Sequence, residues 1–320
     1  MSTKSNDQGR AFEFACINTL FNAISKIRKA QIERNSSYFA AEHAWNNIDD
    51  FLRNNLSKSA SAVTDVIFDL EPLILEDDSE PINLRLQVDD KGEEGDVRDI
   101  VISRKNIEWE IGLSVKHNHF AVKHSRLAKK LDFGSKWFNQ PCSPTYWDVV
   151  CSIFEYLEVE KSRKTEWKNL PDKEEGVYVP LLQAFMDEIK RSAAKDKNLP
   201  KKMVEYLLGE YDFYKVISVD VKKFTQVESF NVHGTLNKSS KTHKPVRIIP
   251  VVSLPTRIVA FEFKPNSNNT LEMYLDGGWA FTFRIHNAST IVEPSLKFDI
   301  QIVGMPTTIL TINCLWKDEL

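Results

Sequence analysis

The 320-residue sequence has no long hydrophobic run. None of its apolar stretches approaches the ~18 residues that a membrane-spanning helix needs. The start of the chain, Met1–Asp7, is too polar to form the core of a secretory signal. These absences argue against a transmembrane or secreted protein. With 42% hydrophobic and 27% charged residues, the composition predicts a globular, cytoplasmic protein with a sizeable core.

Cysteine is also scarce. The four cysteines, Cys16, Cys142, Cys151 and Cys314, are scattered and show no C-x-x-C spacing. Without such spacing, buried reduced thiols are favoured over disulfides or a cysteine-based zinc site. We expect reduced thiols.

The chain lacks the overall basic charge that is typical of DNA-binding proteins. Its 42 basic and 45 acidic residues give a net charge of −3. The two signs are segregated, however: acidic residues dominate residues 65–96, and basic residues dominate residues 98–136 and 238–264. Local charge decides whether a cleft attracts phosphate, so a basic groove is compatible with this total. For Lys238–Lys244 taken alone, a solvated face is the favoured interpretation.

The most informative segment predicts a β-hairpin. Asp99 precedes the apolar run Ile100–Ile102, and in the following strand Glu110, Ser114 and Lys116 alternate with buried-type side chains. An aspartate at a strand start beside a lysine can hold a divalent cation and an attacking water. A cross-strand ion pair on a solvated face is the alternative. The apolar character of both strands favours the first interpretation, because uncompensated charge is costly inside a sheet.

Donors suited to phosphates and base edges follow this lysine. They are His117, Asn118, His119, Lys123, His124, Arg126 and Lys130. The histidines near the motif leave a zinc site or a histidine-dependent nuclease open, but phosphate contacts or packing are favoured over both. In the second basic segment, Arg247 and Arg257 are the candidate readers of guanine.

The coarse pattern predicts a mixed α/β fold. A helix is expected over residues 8–30 with Asp7 as its N-cap, and further helices over residues 37–56, 59–75, 125–132, 144–159, 176–194 and 199–208. Strands are expected at residues 82–88, 99–103 and 107–116, and short alternating runs after Tyr211 predict an antiparallel sheet. We therefore predict a catalytic domain at residues 1–210 and a β-rich region at 211–320 that contributes to DNA recognition.

The chain resembles type II restriction endonucleases of the PD-(D/E)xK superfamily, and within them the HaeIII family. The resemblance rests on segments of the N-terminal half, namely Gln8–Cys16, Asp96–Ile100, Ser114–His119, His124–Leu127, Asp132–Gly134 and Tyr146–Trp147. No motif matches in the C-terminal third. The resemblance implies a nuclease core built on a mixed sheet flanked by helices, with an antiparallel β region after it.

The resemblance also assigns roles to individual residues. Asp99 would bind Mg²⁺, and Lys116 would position or deprotonate the attacking water. Ser114 departs from the motif, which has an acidic residue at that position. Glu13 and Glu110 are the candidate replacements, and Asp96 is an alternative to Asp99.

The resulting functional prediction is a Mg²⁺-dependent endonuclease that cuts both strands of double-stranded DNA at a short site. The resemblance implies GGCC, cut between the central G and C. A structure-specific repair or recombination nuclease, and a DNA-binding protein with a degenerate nuclease core, are the alternatives. No membrane partner is expected, and both a homodimer and a monomer remain open.

Overall fold

The computed structural model describes residues 2–76, 79–88, 95–123, 125–238 and 248–317, with side chains from residue 7 onward. His124 and Arg247, two of the predicted DNA contacts, lie outside these ranges. The chain forms two compact units. Unit 1 combines Met1–Phe120, Gly209–Val252 and Thr307–Leu320, and unit 2 combines Ala121–Leu208 and Ser253–Pro306.

The helices of unit 1 are α1 (Ser2–Ser25), α2 (Ser36–Asn46) and α3 (Asp50–Leu70). Both α2 and α3 begin at polar caps. The Asn35 side chain accepts a hydrogen bond from the Tyr38 backbone N at 3.0 Å, and that of Asp49 accepts one from the Leu52 backbone N at 2.8 Å. The predicted N-cap role of Asp7 is wrong, because α1 starts five residues earlier and contains Asp7.

A seven-stranded mixed sheet, sheet A, forms the centre of unit 1. Its strands in spatial order are β1 (Ala30–Glu33), β2 (Ile82–Leu86), β3 (Ile100–Arg104), β4 (Trp109–His117), β7 (Phe213–Val219), β8 (Phe224–Phe230) and β13 (Thr311–Leu315). β1 and β2 are parallel, as are β4 and β7, whereas the other neighbours are antiparallel. Leu113 and Val115 of β4 belong to the same buried core as Phe12 and Cys16 of α1, so the helix and the hairpin share one hydrophobic cluster.

Unit 2 contains a six-stranded antiparallel sheet, sheet B. Its strands are β5 (Ala121–Lys123), β12 (Ser295–Gly304), β11 (Ala280–His286), β10 (Thr270–Leu275) and β9 (Ile258–Phe263), and β6 (Arg126–Ala128) also pairs with β12. The helices are α4 (Phe133–Phe138), α5 (Pro144–Ser162), α6 (Val179–Lys195) and α7 (Leu199–Leu208). The core is aromatic, with Phe185 lying 4.8 Å from Phe133 and 4.9 Å from Phe298 between ring centroids.

The mixed α/β class predicted from the sequence is confirmed. The helix predicted over residues 125–132 is wrong, because Arg126–Ala128 pairs with Ser295–Lys297 as β6. The compact units are discontinuous in sequence, whereas the predicted domains 1–210 and 211–320 are consecutive. The assignment of catalysis to the first segment and recognition to the second stays a prediction.

Across the described ranges, none of the helices has both the length and the apolar composition that crossing a membrane requires. All four cysteines are free, and Cys16, Cys142 and Cys314 are buried.

A buried glutamate closes the C-terminal end of α3. Glu71 is fully buried, and its Oε1 accepts hydrogen bonds from the Tyr214 hydroxyl at 2.7 Å and from the Asn237 backbone N at 2.8 Å. Burial raises the pKa of Glu71 from 4.5 to about 7, although these hydrogen bonds oppose the rise. The folded protein therefore keeps a proton on Glu71 at mildly acidic pH, where an unfolded chain would lose it.

We expect this proton to make stability depend on pH. Between about pH 4.5 and pH 7 the folded state binds the proton more tightly than the unfolded state, so the stability it provides is lost as the pH rises through that window. Glu71→Gln keeps an acceptor but cannot ionise. Relative to the parent, it should gain up to about 3 kcal/mol in unfolding free energy between pH 4.5 and pH 8. Urea unfolding at both pH values measures this difference.

Glu33→Gln, at the exposed end of β1, is the matched control and should show no such pH-dependent gain. A constant difference between Glu71→Gln and the parent at both pH values would mean that folding does not raise the pKa of Glu71.

Candidate active site

Asp99 and Lys116 meet across the β3–β4 hairpin. The pairing of Ile100 with Leu113 sets the register, and the Asp99 backbone N donates to the Leu113 carbonyl at 2.8 Å. Asp99 Oδ2 accepts hydrogen bonds from Lys116 Nζ at 2.8 Å and from the Val115 backbone N at 2.6 Å. Both side chains are about one quarter exposed, at 24% and 25%. The hairpin thus presents a carboxylate and an ammonium side by side, with access to solvent.

Glu13 brings a second carboxylate to this pair from α1. Burial of Lys116 favours loss of its proton, but the charges of Asp99 and Glu13 outweigh burial and hold its pKa above the ordinary lysine value. Lys116 is therefore an ammonium at neutral pH. The same two carboxylates, together with burial, keep the pKa of the Cys16 thiol well above its usual value, so this cysteine is not a nucleophile.

Two carboxylates beside a lysine suit a magnesium ion. Mg²⁺ usually keeps several waters and takes one or two protein carboxylates together with substrate phosphate oxygens. Among the described residues, the structure has no cluster of three or more acidic, histidine or cysteine side chains that would form a closed metal cage. The hard oxygens of Asp99 and Glu13 match the open kind of site and do not match a zinc site.

The other two candidate ligands, Asp96 and Glu110, are engaged elsewhere. Arg98 binds Asp96 through two nitrogens, at 2.8 and 2.7 Å, and donates to Glu110 at 2.8 Å. The Arg98 guanidinium also lies 4.0 Å from the centre of the Tyr211 ring. Glu110 pairs with Ser103, four residues along β4 from Ser114, which is about 13 Å in a strand. The structure does not bring Glu110 or Asp96 together with Asp99.

Gly112 makes room for this arginine cluster. A Cβ added at Gly112 would lie 1.9 Å from Arg98 Cδ, so no other residue fits there without moving the arginine. A glycine inside a strand often marks such a close approach.

Ser114 has a lysine as its neighbour on β7. The parallel register pairs Ser114 with Lys215, and the antiparallel register pairs Lys215 with Glu228 on β8. Lys215 is buried, and its Nζ donates to the Phe120 carbonyl at 2.8 Å. Burial lowers the pKa of Lys215, with the Lys116 charge acting in the same direction and Glu228 opposing. The sequence analysis missed Lys215, although a single lysine within an apolar strand is a recognisable signal.

His117 and Asn118 form a network at the ends of the parallel strands β4 and β7. His117 Nε2 lies 2.8 Å from Asp220 Oδ2, and the Asp220 backbone N donates to Asn118 Oδ1 at 3.0 Å. Burial raises the pKa of Asp220, but its contacts with His117, Ser218 and Asn118 prevail and lower it. Asn118 has a positive φ of 51° and follows the last residue of β4, so His119 lies outside the strand that contains His117.

The predicted DNA contacts of unit 2 have different environments. Lys123 Nζ donates to the Tyr206 carbonyl at 2.9 Å and lies 3.8 Å from the centre of its ring. Arg126, Lys130 and Arg257 are exposed. Arg126 donates to Ser295 Oγ at 3.1 Å, and the Arg257 backbone N donates to Asp276 Oδ1 at 3.1 Å. Lys123 thus has a structural role within unit 2, whereas the other three point basic groups toward solvent.

Comparisons with known proteins identify the family of the chain. The family model described as HaeIII restriction endonuclease matches residues 9–306. The chain is 54% identical over 319 residues to the type II restriction enzyme HaeIII of Haemophilus aegyptius, an alignment that covers 99% of this chain and 100% of that protein. No solved structure matches the chain significantly. The matches confirm the predicted resemblance and the restriction endonuclease function. The chain belongs to the HaeIII restriction endonuclease family.

Proposed function

We propose that this restriction endonuclease hydrolyses both strands of double-stranded DNA at GGCC, cutting between the central G and C, with Mg²⁺ as its metal. The observation that carries the catalytic part is the contact between Asp99 and Lys116, 2.8 Å apart at the accessible end of the hairpin. The target sequence is inferred from the 54% identity to HaeIII. Family membership implies a divalent metal, and the donor set favours magnesium.

In this proposal Asp99 and Glu13 hold the metal. When bound, Mg²⁺ would offset negative charge on the phosphate and on the leaving oxygen. Lys116 Nζ would donate to the attacking water and stabilise the hydroxide as its proton leaves to solvent. The water oxygen forms a bond to phosphorus in line with the P–O3′ bond, which breaks. O3′ takes a proton from solvent, so the products are a 5′-phosphate and a 3′-hydroxyl.

Ser114 explains why Glu13 is needed. The motif position on β4 has no carboxylate, and its neighbour on β7 is the buried ammonium of Lys215. A carboxylate at residue 114 would be drawn toward that charge. We propose that the acidic ligand therefore comes from α1, which shares its buried core with β4.

Digestion of a plasmid with mapped GGCC sites tests the function. With Mg²⁺ we expect discrete fragments that end at GGCC, and no cleavage with a chelator. A plasmid without GGCC is the matched control and should stay intact. Nicking of both plasmids would instead indicate a structure-specific nuclease, and binding without any cleavage would indicate a degenerate core.

A further inference from the structure

Three basic side chains form a row across one face of sheet B. The register pairs Lys297 of β12 with Arg126 of β6 on one side and with His286 of β11 on the other. Arg284 lies two residues from His286 on the same strand, where it pairs with Asp299. Side chains at paired positions and at i, i+2 positions point to the same face of a sheet. The topology thus gathers Arg126, Lys297, His286 and Arg284 on one surface, which we call the basic face.

The basic face is the side of sheet B away from the unit 2 core. Leu127, Leu296, Phe298, Ile285 and Phe283 alternate with the basic residues and are completely buried. In contrast, the Arg284 side chain is 55% exposed, and Arg126 is exposed as well. The row of side chains spans three neighbouring strands and is about 10 Å wide. Its guanidinium groups are therefore accessible to a ligand from solvent.

Like charges on this face repel one another. Burial lowers the pKa of Lys297 and so does the charge of Arg126, while Asp299 opposes them. Burial also lowers the pKa of His286, with Arg284, Lys297 and Arg126 acting in the same direction. The paired residues form two rows, Arg126–Lys297–His286 and Asp299–Arg284. Asp299 is the one acidic residue in these two rows, and it lies 3.3 Å from Arg284. Like charges directly opposite one another destabilise a sheet, so the arrangement favours binding of an anion.

We propose that the basic face binds the phosphate backbone of the DNA substrate, with Arg126, Lys297 and Arg284 as the contacting residues. This proposal rests on the proposed function, because it takes duplex DNA as the ligand. A basic surface of this width can contact successive phosphates of one DNA strand. Contacts of this kind position the duplex without reading its sequence.

The test measures DNA binding over a range of salt concentrations. Duplexes with GGCC and with a scrambled site are titrated, without divalent metal, against the parent and against Arg126→Gln, Lys297→Gln and Arg284→Gln. Each variant should weaken binding to both duplexes equally, roughly eightfold at 0.1 M salt, and should make the slope of log affinity against log salt shallower by about 0.9. Lys297→Arg keeps the charge and should retain the parent affinity.

Lys129→Gln is the matched control. Lys129 follows β6, lies outside the paired positions that form the basic face and contacts Glu155 of α5 at 2.8 Å, so its loss should leave the slope unchanged. If the slope of log affinity against log salt is unchanged in the three variants, the basic face does not bind the DNA backbone, and the proposed cleavage function is unaffected. A loss confined to the GGCC duplex would also overturn it, since it would indicate base reading. A parent that neither binds nor cuts duplex DNA would overturn both proposals, and the plasmid digestion identifies that case.

Discussion

Lys116→Ala and Asp99→Asn should each abolish specific cleavage and leave specific binding in place. In the proposed mechanism, removing Lys116 takes away the ammonium that positions the water, for which a loss of roughly 10²–10⁴-fold in rate is expected. Removing the Asp99 charge takes away the proposed metal ligand and should cost at least as much. Neither side chain belongs to the basic face, so the affinity for DNA is expected to hold. Single-turnover cleavage of a GGCC duplex with Mg²⁺ measures the rate, and a gel shift without metal measures binding.

Lys26→Ala, at an exposed lysine just beyond α1, is the control for loss of one positive charge in unit 1. Thermal unfolding checks that Asp99→Asn keeps the hairpin, since Asp99 also accepts from the Val115 backbone at 2.6 Å. A Lys116→Ala protein that cuts at the parent rate would show that the motif has been assigned to the wrong lysine.

Glu13→Gln should raise the Mg²⁺ concentration needed for half-maximal cleavage by at least about tenfold. Even residues that only support metal ligands typically contribute 10–100-fold to metal affinity, and a direct carboxylate ligand is expected to contribute no less. Glu110→Gln provides the matched comparison, because it makes the same change at the candidate on β4, where Glu110 binds Arg98 at 2.8 Å. Cleavage rates over a Mg²⁺ titration give both values.

The Mg²⁺ dependence of the two variants distinguishes two positions for the metal. A large shift in Glu110→Gln with none in Glu13→Gln would place the metal beside Arg98 and not beside Lys116. Equal and small shifts in both would leave Asp99 as the main protein ligand, with the remaining positions filled by water and phosphate.

Local patterns in the sequence were enough to predict the hairpin and most of the helices. Alternation in Glu110–Lys116 predicted both the strand and its faces, and α7 matches its predicted limits. A helix is predicted over residues 125–132, yet β6 forms there through pairing with β12, some 170 residues away. Tertiary pairing overrides local propensity in such cases.

Buried polar residues explain the elements and site residues that the sequence analysis missed. β8 was not predicted because Thr225, Glu228 and Ser229 are buried polar residues, which disguise the hydrophobic alternation. The choice among Asp96, Glu13 and Glu110 depended on where Arg98 points, and no spacing rule contains that information. The basic face likewise joins Arg126 to Lys297, which are brought together only by sheet register.

The position of β13 at the edge of sheet A constrains how the protein is made. Strand β8 lacks this neighbour until residues 311–315 have left the ribosome. At 5–20 residues per second, synthesis from residue 252 to residue 311 takes roughly 3–12 s, during which β8 is the edge strand of sheet A. An open strand edge can pair with other chains. Slow translation or a truncation before residue 311 should therefore promote aggregation of nascent protein through the unpaired edge of β8. Extending the chain after β13 leaves the pairing of β8 with β13 in place.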